Sequence, residues 1–369
     1  TMEGHLGEYA KWSKVEIVLH GPRSEGMSDE DNPFKTLLDV TFTSPGGEEM
    51  IVPGFYNGDG RGGLDGDVWQ VRFAPDAAGR WSFMTHSDEP LLNGRTGTFD
   101  VVDAGDCDEM PPGGLPDFAC VGRLEYTGEY YLKFAEGPYW LKGGADEPED
   151  FLAAEQTVGF ESKEAAIDYL AGLGVNSLYM LLNNIAGDAR NVWPWVGATE
   201  AEARANTEHF DIAKLERWEE DFTHLQDRGL VLHIVFDDDS AWVGYNRDMF
   251  YREMVARFAH HNGLIWNVSE EYNENYTPQD ILEYAQMLDA LDAYDHPVTV
   301  HHGETPAYWR YFAGVDEIAL TSLQTGDPPA VVNATAVEWR ATVSESGKVI
   351  PISIDEAAEV TTGMRDFSR

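Results

Sequence analysis

Two acidic clusters in this chain each follow an apolar run directly. Leu264-Ile265-Trp266-Asn267-Val268 leads into Ser269-Glu270-Glu271-Tyr272-Asn273, and Val349-Ile350-Pro351-Ile352-Ser353-Ile354 leads into Asp355-Glu356. Two carboxyl groups held about 5–5.5 Å apart can cleave a glycosidic bond with retention. One protonates the leaving oxygen while the other attacks the anomeric carbon. A single Glu in so acidic a chain is by default a solvated surface group. Two clusters, each at the end of a buried strand, fit that default poorly and make a candidate catalytic pair.

Other side chains could hold a sugar. Trp193, Trp195 and Trp242 follow the second and third strands of the chain's second part, where an aromatic face can stack on a sugar ring or simply pack a loop. Asn183, Asn184 and Asp188 follow the second strand and could bind hydroxyls, as could Gln324 after the sixth, which could instead orient a nucleophile. His301 and His302 follow the fifth, where a histidine can hydrogen-bond substrate, tune a nucleophile or serve only its loop. Asp237-Asp238-Asp239 lacks the alternating ligands of a calcium loop and reads as a solvated or sugar-binding loop. His260-His261 sits at a helix C-terminus and is assigned no ligand role. No metal and no cofactor are expected.

These residues need a frame. Residues 14–102 alternate in short strands, Leu38-Asp39-Val40-Thr41-Phe42 and Val68-Trp69-Gln70-Val71-Arg72-Phe73 among them, with Gly/Pro/Asn turns between. That pattern predicts an all-β sandwich over residues 1–103. A linker and hairpin are expected over 104–137, the hairpin (Tyr126 to Phe134) closing the far end of the next domain. From residue 138 to 369, apolar strands alternate with helices: strands near 139–144, 175–182, 230–236, 264–268, 298–300, 318–323 and 349–354, and helices over 164–173, 215–228, 249–260 and 278–291. Seven buried strands alternating with helices predict a (β/α)8 barrel, with its eighth strand either missing or hidden. No Gly-rich phosphate loop opens a helix, which speaks against a nucleotide. The catalytic ends of such strands lie at one mouth, so both acidic clusters would meet there, with the sandwich away from it.

Composition sets the partners. The chain has 369 residues, of which 66 are acidic and 25 basic, a net charge of −41. A surface of this sign repels nucleic acid and anionic lipid. The acids are spread through folded sequence, and we expect a protein adapted to high salt, where screening relieves self-repulsion. The first ten residues show no leader pattern, which leaves a secreted or a cytoplasmic setting in a high-salt organism. Cys107 and Cys120 could pair, with free thiols the default. The oligomeric state is left open.

The strand-end clusters resemble those of the clan A glycoside hydrolases, the barrel superfamily of cellulases and β-galactosidases. Its fourth strand ends in Asn-Glu, the Glu being the acid/base, and its seventh ends in a nucleophilic Glu. On this resemblance Ile265 to Glu271 places the acid/base at Glu271, and Ile352 to Glu356 places the nucleophile at Glu356. Glu270 stands where the family has Asn, and an ionised Glu cannot donate to a sugar hydroxyl. Glu270 is therefore kept as a substrate contact or alternative acid, and Asp355 as a substrate contact. The whole chain also resembles bacterial and archaeal barrel proteins related to apiosidase-like glycosidases that carry an N-terminal sandwich of unassigned function. Asn32-Pro33-Phe34, Val52 to Tyr56, Val71 to Pro75, Gly79-Arg80-Trp81, Ala256 to Asn262, Trp266 to Asn273 and Asp295-His296-Pro297 carry that likeness. It implies a retaining hydrolase of a poly- or oligosaccharide. The alternatives are a carbohydrate-binding barrel without turnover and a metal-dependent hydrolase, whose His/Asp ligands only His301 and His302 partly supply.

Overall fold

The structure is a computed structural model that describes residues 4–105, 107, 114–145, 151–153, 159–187, 190–239, 241–303, 305–325 and 329–357. Eight strands come first: β1 (Gly4–Ala10), β2 (Val15–Ser24), β3 (Leu38–Thr43), β4 (Glu49–Pro53), β5 (Phe55–Tyr56), β6 (Gly66–Phe73), β7 (Gly79–Ser87) and β8 (Thr96–Val102). They form a five-stranded sheet, β1-β8-β7-β3-β4, and a three-stranded sheet, β2-β6-β5. Alternation decides which residues go inside. Val15, Ile17 and Leu19 on β2 and Leu38, Val40 and Phe42 on β3 are buried, while the residues between them are not. The sheets meet where Phe42 stacks on Phe73, with ring centroids 4.0 Å apart. That packing accounts for the sandwich pattern seen in the sequence.

Part of the expected linker, together with residues 358–369, lies outside the described residues. Cys107 and Cys120 form a disulfide, which corrects the free-thiol default. The short helix α1 (Phe118–Val121) leads into an antiparallel sheet of β9 (Leu124–Glu125), β10 (Leu132–Phe134) and β11 (Tyr139–Trp140). Leu124, Leu132, Phe134 and Trp140 pack with Val231, Ile265 and Leu320 near the starts of the parallel strands, closing that end.

A parallel sheet follows in the order β12 (Gly144–Ala145), β13 (Ser177–Asn183), β14 (Val231–Asp237), β15 (Leu264–Asn267), β16 (Val298–Thr299). Every residue of β13, β14 and β15 is buried, the mark of strands covered on both faces. Helices α2 (Lys163–Gly172), α3 (Glu200–Ala205), α4 (Ile212–Asp227), α5 (Arg247–Phe258), α6 (Pro278–Leu291) and α7 (Pro329–Glu345) lie between or after the strands. Ser162, Asp211, Asn246 and Thr277 cap α2, α4, α5 and α6 by accepting backbone N–H groups. Gly229, at φ +77°, turns the chain out of α4 into β14.

The described residues form a mixed α/β architecture, and among them the strands of the expected barrel do not close into a ring. Among the described residues the sheet is continued beyond β16 by isolated parallel bridges, Val298 to Ile318 and His301 to Ser322. These lead to the pair β17 (Leu323–Thr325) and β18 (Ile354–Ala357). Among the described residues β18 does not pair with β12, so the hydrogen-bonded circuit stays open. What bridges that gap is a side-chain contact, Lys142 Nζ to Asp355 Oδ1 at 2.6 Å.

The two-sheet unit lies against helices α4 and α5, on the flank of the parallel sheet. Arg72 on β6 sits among Glu16 (3.3 Å), Glu216 (3.0 Å) and Glu219 (3.6 Å) and donates to the carbonyl of Arg257. Arg257 reaches back to Asn57 Oδ1 and the carbonyl of Tyr56. Arg252 bonds Asp39 and the Leu38 carbonyl.

Candidate active site

The C-terminal strand ends lie in register, which sets the candidate residues side by side. Asn183 pairs with Asp237, and Asn267 with Thr299. Past β15, the Glu270 N–H donates to the Asp237 carbonyl at 2.8 Å, and the His301 N–H to the Ser269 carbonyl at 3.0 Å. His301 bridges to Ser322, and Gln324 pairs with Glu356.

Glu271 and Glu356 meet at one nitrogen. Gln324 Nε2 donates to Glu271 Oε1 at 2.9 Å and to Glu356 Oε2 at 2.5 Å. Those oxygens are no further apart than the two bonds laid end to end, short of the roughly 6.5–9.5 Å that leaves room for a water between two carboxyl groups. Glu271 has φ +29° and ψ +52°, a conformation that costs a bulky residue about 1–3 kcal/mol. Its carboxyl lies against Gly303, where an added methyl would come within 2.5 Å of Oε2. His302 fixes the opposite wall. Its Nε2 accepts the Gln324 backbone N–H at 3.1 Å, and burial holds the ring neutral, with its pKa lowered to about 3.

Electrostatics act on Glu271. Burial pushes the Glu271 pKa up, and the charges of Glu356 and Glu274 push the same way. The Gln324 bond and His301 oppose them. From sequence, Glu270 and Asp355 are the neighbours expected to hold a proton on Glu271. Asp355 is not among the charges that push the Glu271 pKa up: the Lys142 cation offsets its charge, Ser322 and Ser353 donate to it, and its own pKa falls well below the carboxylate range against the penalty of burial. Asp355 is also corrected as a substrate contact, since its side chain is completely buried. Glu270 is nearly buried, with Oε1 3.3 Å from His301 Nε2. The same nitrogen lies 3.5 Å from Glu356 Oε2. Gln324 directs N–H groups into this cluster, so its lining is made for hydrogen bonding.

The remaining candidates divide by burial. Trp195 is completely buried among Trp242, Tyr245 and Phe250, so it offers no face to a sugar and its platform reading is corrected. Trp193 and Trp242 are half-buried; Lys214 lies 5.0 Å from the Trp193 ring, and Arg204 5.1 Å from that of Trp242. Asn183 is buried and committed to Asp237 and the Trp242 carbonyl, which corrects it to a structural role. Asn184 donates to the Arg190 carbonyl, and its buried Oδ1 has no hydrogen-bond partner among the described residues. Asp188 lies outside the described residues. Asp237 is no solvated loop residue either: Tyr245, Tyr276, Arg247 and Asn183 all donate to it. The other histidine cluster, Glu219 with His260 and His261, is taken up by Lys14 at 2.9 Å and Arg72, whose positive charges leave little there for a metal.

Lys142, Ser322 and His233 also belong to this neighbourhood and were not singled out from sequence. Lys142 Nζ donates to Asp355 and to Nδ1 of His233, a histidine kept neutral by burial and by that cation. Nothing marks Ser322 in the linear pattern.

Comparison with known proteins adds the fold. The family model described as a domain of unknown function (DUF5060) matches residues 8–88, most of the eight-strand unit. No curated protein matches the chain. Among solved structures, a Bacteroides vulgatus protein provisionally assigned as a glycoside hydrolase superposes with a TM-score of 0.70 at 20% identity over 94% of this chain. The match spans 64% of that protein, less than two thirds of its length. A glycoside hydrolase family 5 protein from the same organism matches 64% of this chain and 54% of its own, at 16% identity and a TM-score of 0.47. A family 5 mannosidase from Rhizomucor miehei matches 64% and 73%, at 10% identity and 0.48. The last two are partial likenesses. The first shows that this chain has a glycoside-hydrolase-like fold.

Proposed function

We propose that this chain is a retaining glycoside hydrolase of a poly- or oligosaccharide, with Glu271 as acid/base and Glu356 as nucleophile. The Gln324 bridge between the two carboxyl groups carries the reading. In the first step Glu356 attacks the anomeric carbon while Glu271 gives its proton to the departing oxygen. In the second, Glu271 takes a proton from water, which attacks the glycosyl–Glu356 ester. Burial around Glu271 supports the acid role, since a carboxyl group must stay protonated at working pH to donate. The half-buried Trp193 and Trp242 are the proposed sugar contacts. The likeness to apiosidase-related barrels is kept as a pointer to substrate.

Chemical rescue tests the assignment. Glu271→Ala should keep part of its turnover on activated aryl glycosides, with azide restoring rate and giving a glycosyl azide of retained configuration. Glu356→Ala should lose turnover on all substrates, and azide should give the inverted product. If Glu270→Ala shows the acid/base phenotype and Glu271→Ala does not, the acid is Glu270. Binding of oligosaccharide without turnover by the unsubstituted chain would instead favour a non-catalytic carbohydrate-binding protein.

A further inference from the structure

We propose that Lys142, Asp355 and Ser322 are positioning residues that hold the His301 ring with a hydrogen on Nδ1, so that Nε2 is the atom presented to Glu270 and Glu356. The inference follows from counting hydrogens. Asp355 takes Lys142 Nζ (2.6 Å) and Ser353 Oγ (2.5 Å) on Oδ1, and Ser322 Oγ (2.5 Å) on Oδ2. An ionised carboxylate only accepts, so Ser322 gives its single hydrogen to Asp355. Its oxygen is then an acceptor toward His301 Nδ1, 3.0 Å away, and Nδ1 must carry a hydrogen. Donation thus runs inward to Asp355 from both ends, from the cation Lys142 and from the ring of His301.

The consequence falls on Nε2. It stands 3.3 Å from Glu270 Oε1 and 3.5 Å from Glu356 Oε2. Nε2 is therefore the ring atom that faces both carboxylate oxygens. The other groups facing the ring are Glu271, His302 stacked at 5.7 Å between centroids, His233, and Tyr179 at 6.3 Å. His302 and His233 are both held neutral, so neither competes as a cation. Resting on the double-displacement reading, this arrangement sets Nε2 beside the nucleophile oxygen, Glu356 Oε2, which already takes a hydrogen from Gln324.

The Asp355→Asn variant separates this inference from the hydrolase reading. Lys142 and Ser353 are donors and would keep the amide oxygen on their side, turning the NH2 toward Ser322. Ser322 would then donate to Nδ1 and reverse the ring's tautomer. In histidine-labelled full-length protein at neutral pH, the nitrogen-15 shift of His301 Nδ1, assigned by its loss in His301→Gln, should lie in the protonated range. In Asp355→Asn it should move to the bare-nitrogen range, with kcat on an aryl glycoside falling about a hundredfold or more and KM little changed. Should Asp355→Asn not fold, Ser322→Thr should keep the protonated signal and Ser322→Ala should lose it. A bare Nδ1 in the unsubstituted protein, or a signal indifferent to these changes, overturns the inference whatever the activity. The expected tautomer shift in a protein that cleaves no glycoside would leave it standing and sink the hydrolase reading instead.

Discussion

Glu271 Oε1 and Glu356 Oε2 face each other across a single nitrogen, Nε2 of Gln324. Two acidic groups this close resist ionising together, and the shared amide offsets part of that repulsion by donating to both. Gln324 also lowers the Glu271 pKa, opposing its burial.

Replacing Gln324 therefore has a direction. The acid must be protonated to work, so activity is lost as pH rises through the Glu271 pKa. Gln324→Leu removes the donor that lowers this pKa, and the alkaline limb of kcat/KM should move to higher pH. The rate at the optimum should fall about ten- to a hundredfold, for loss of a positioning contact. A pH–rate profile of the variant checks this, and an unmoved or lowered alkaline limb would contradict it.

His302 should impose a pH dependence on stability. Its folded pKa is lowered to about 3 from 6.5, so the unfolded chain binds the extra proton across that window. The stability it permits is present above about pH 6.5 and is lost progressively as pH falls toward 3, by at most about 1.4 kcal/mol per pH unit. His302→Gln should flatten the unfolding free energy between pH 6 and 4. Denaturant titrations at several pH values would reveal it, and an unchanged slope would show that His302 binds its proton alike in the folded and unfolded chain.

Arg72 joins the two-sheet unit to the helices through Glu16, Glu216 and Glu219, and its side chain is only 2% exposed. Arg72→Met keeps much of the volume but leaves Glu219, itself 5% exposed, short of a cation. The expected loss is about 3–5 kcal/mol, the cost of stranding a buried charge. A melting temperature equal to that of the unsubstituted protein would show that Lys14, His260 and His261 suffice.

The net charge of −41 predicts stabilisation by salt. Melting midpoints should climb from dilute buffer to multimolar KCl as screening weakens the repulsion among 66 acidic side chains. A flat series would show that the acids are already spaced or paired well enough to fold without screening.

Local pattern alone determined a good deal. Period-two alternation in β2, β3 and β7 places their inward residues, and unbroken apolar runs mark β13 to β15 as buried strands. The helix α6 begins where Thr277-Pro278 says it should, because a cap and a first-turn proline act within one turn. The same adjacency brought Glu271, Glu356, His301 and Gln324 under consideration, since each closely follows an apolar run. Tertiary structure alone decided what those residues touch. Trp195 and Trp242 look alike in sequence, yet only Trp195 is sealed among aromatic rings. Asp237 and Asp355 look like mouth-lining acids, yet Arg247 and Lys142, at different distances along the chain, bury them as ion-paired acceptors. Lys142 and Asp355 are separated by 213 residues, and Ser322 and Asp355 by 33. Secondary structure obeys forces that reach a few residues along the chain. A carboxylate's partners, its burial and its proton are set by whatever the fold brings within about 3 Å, and that distance is measured through space.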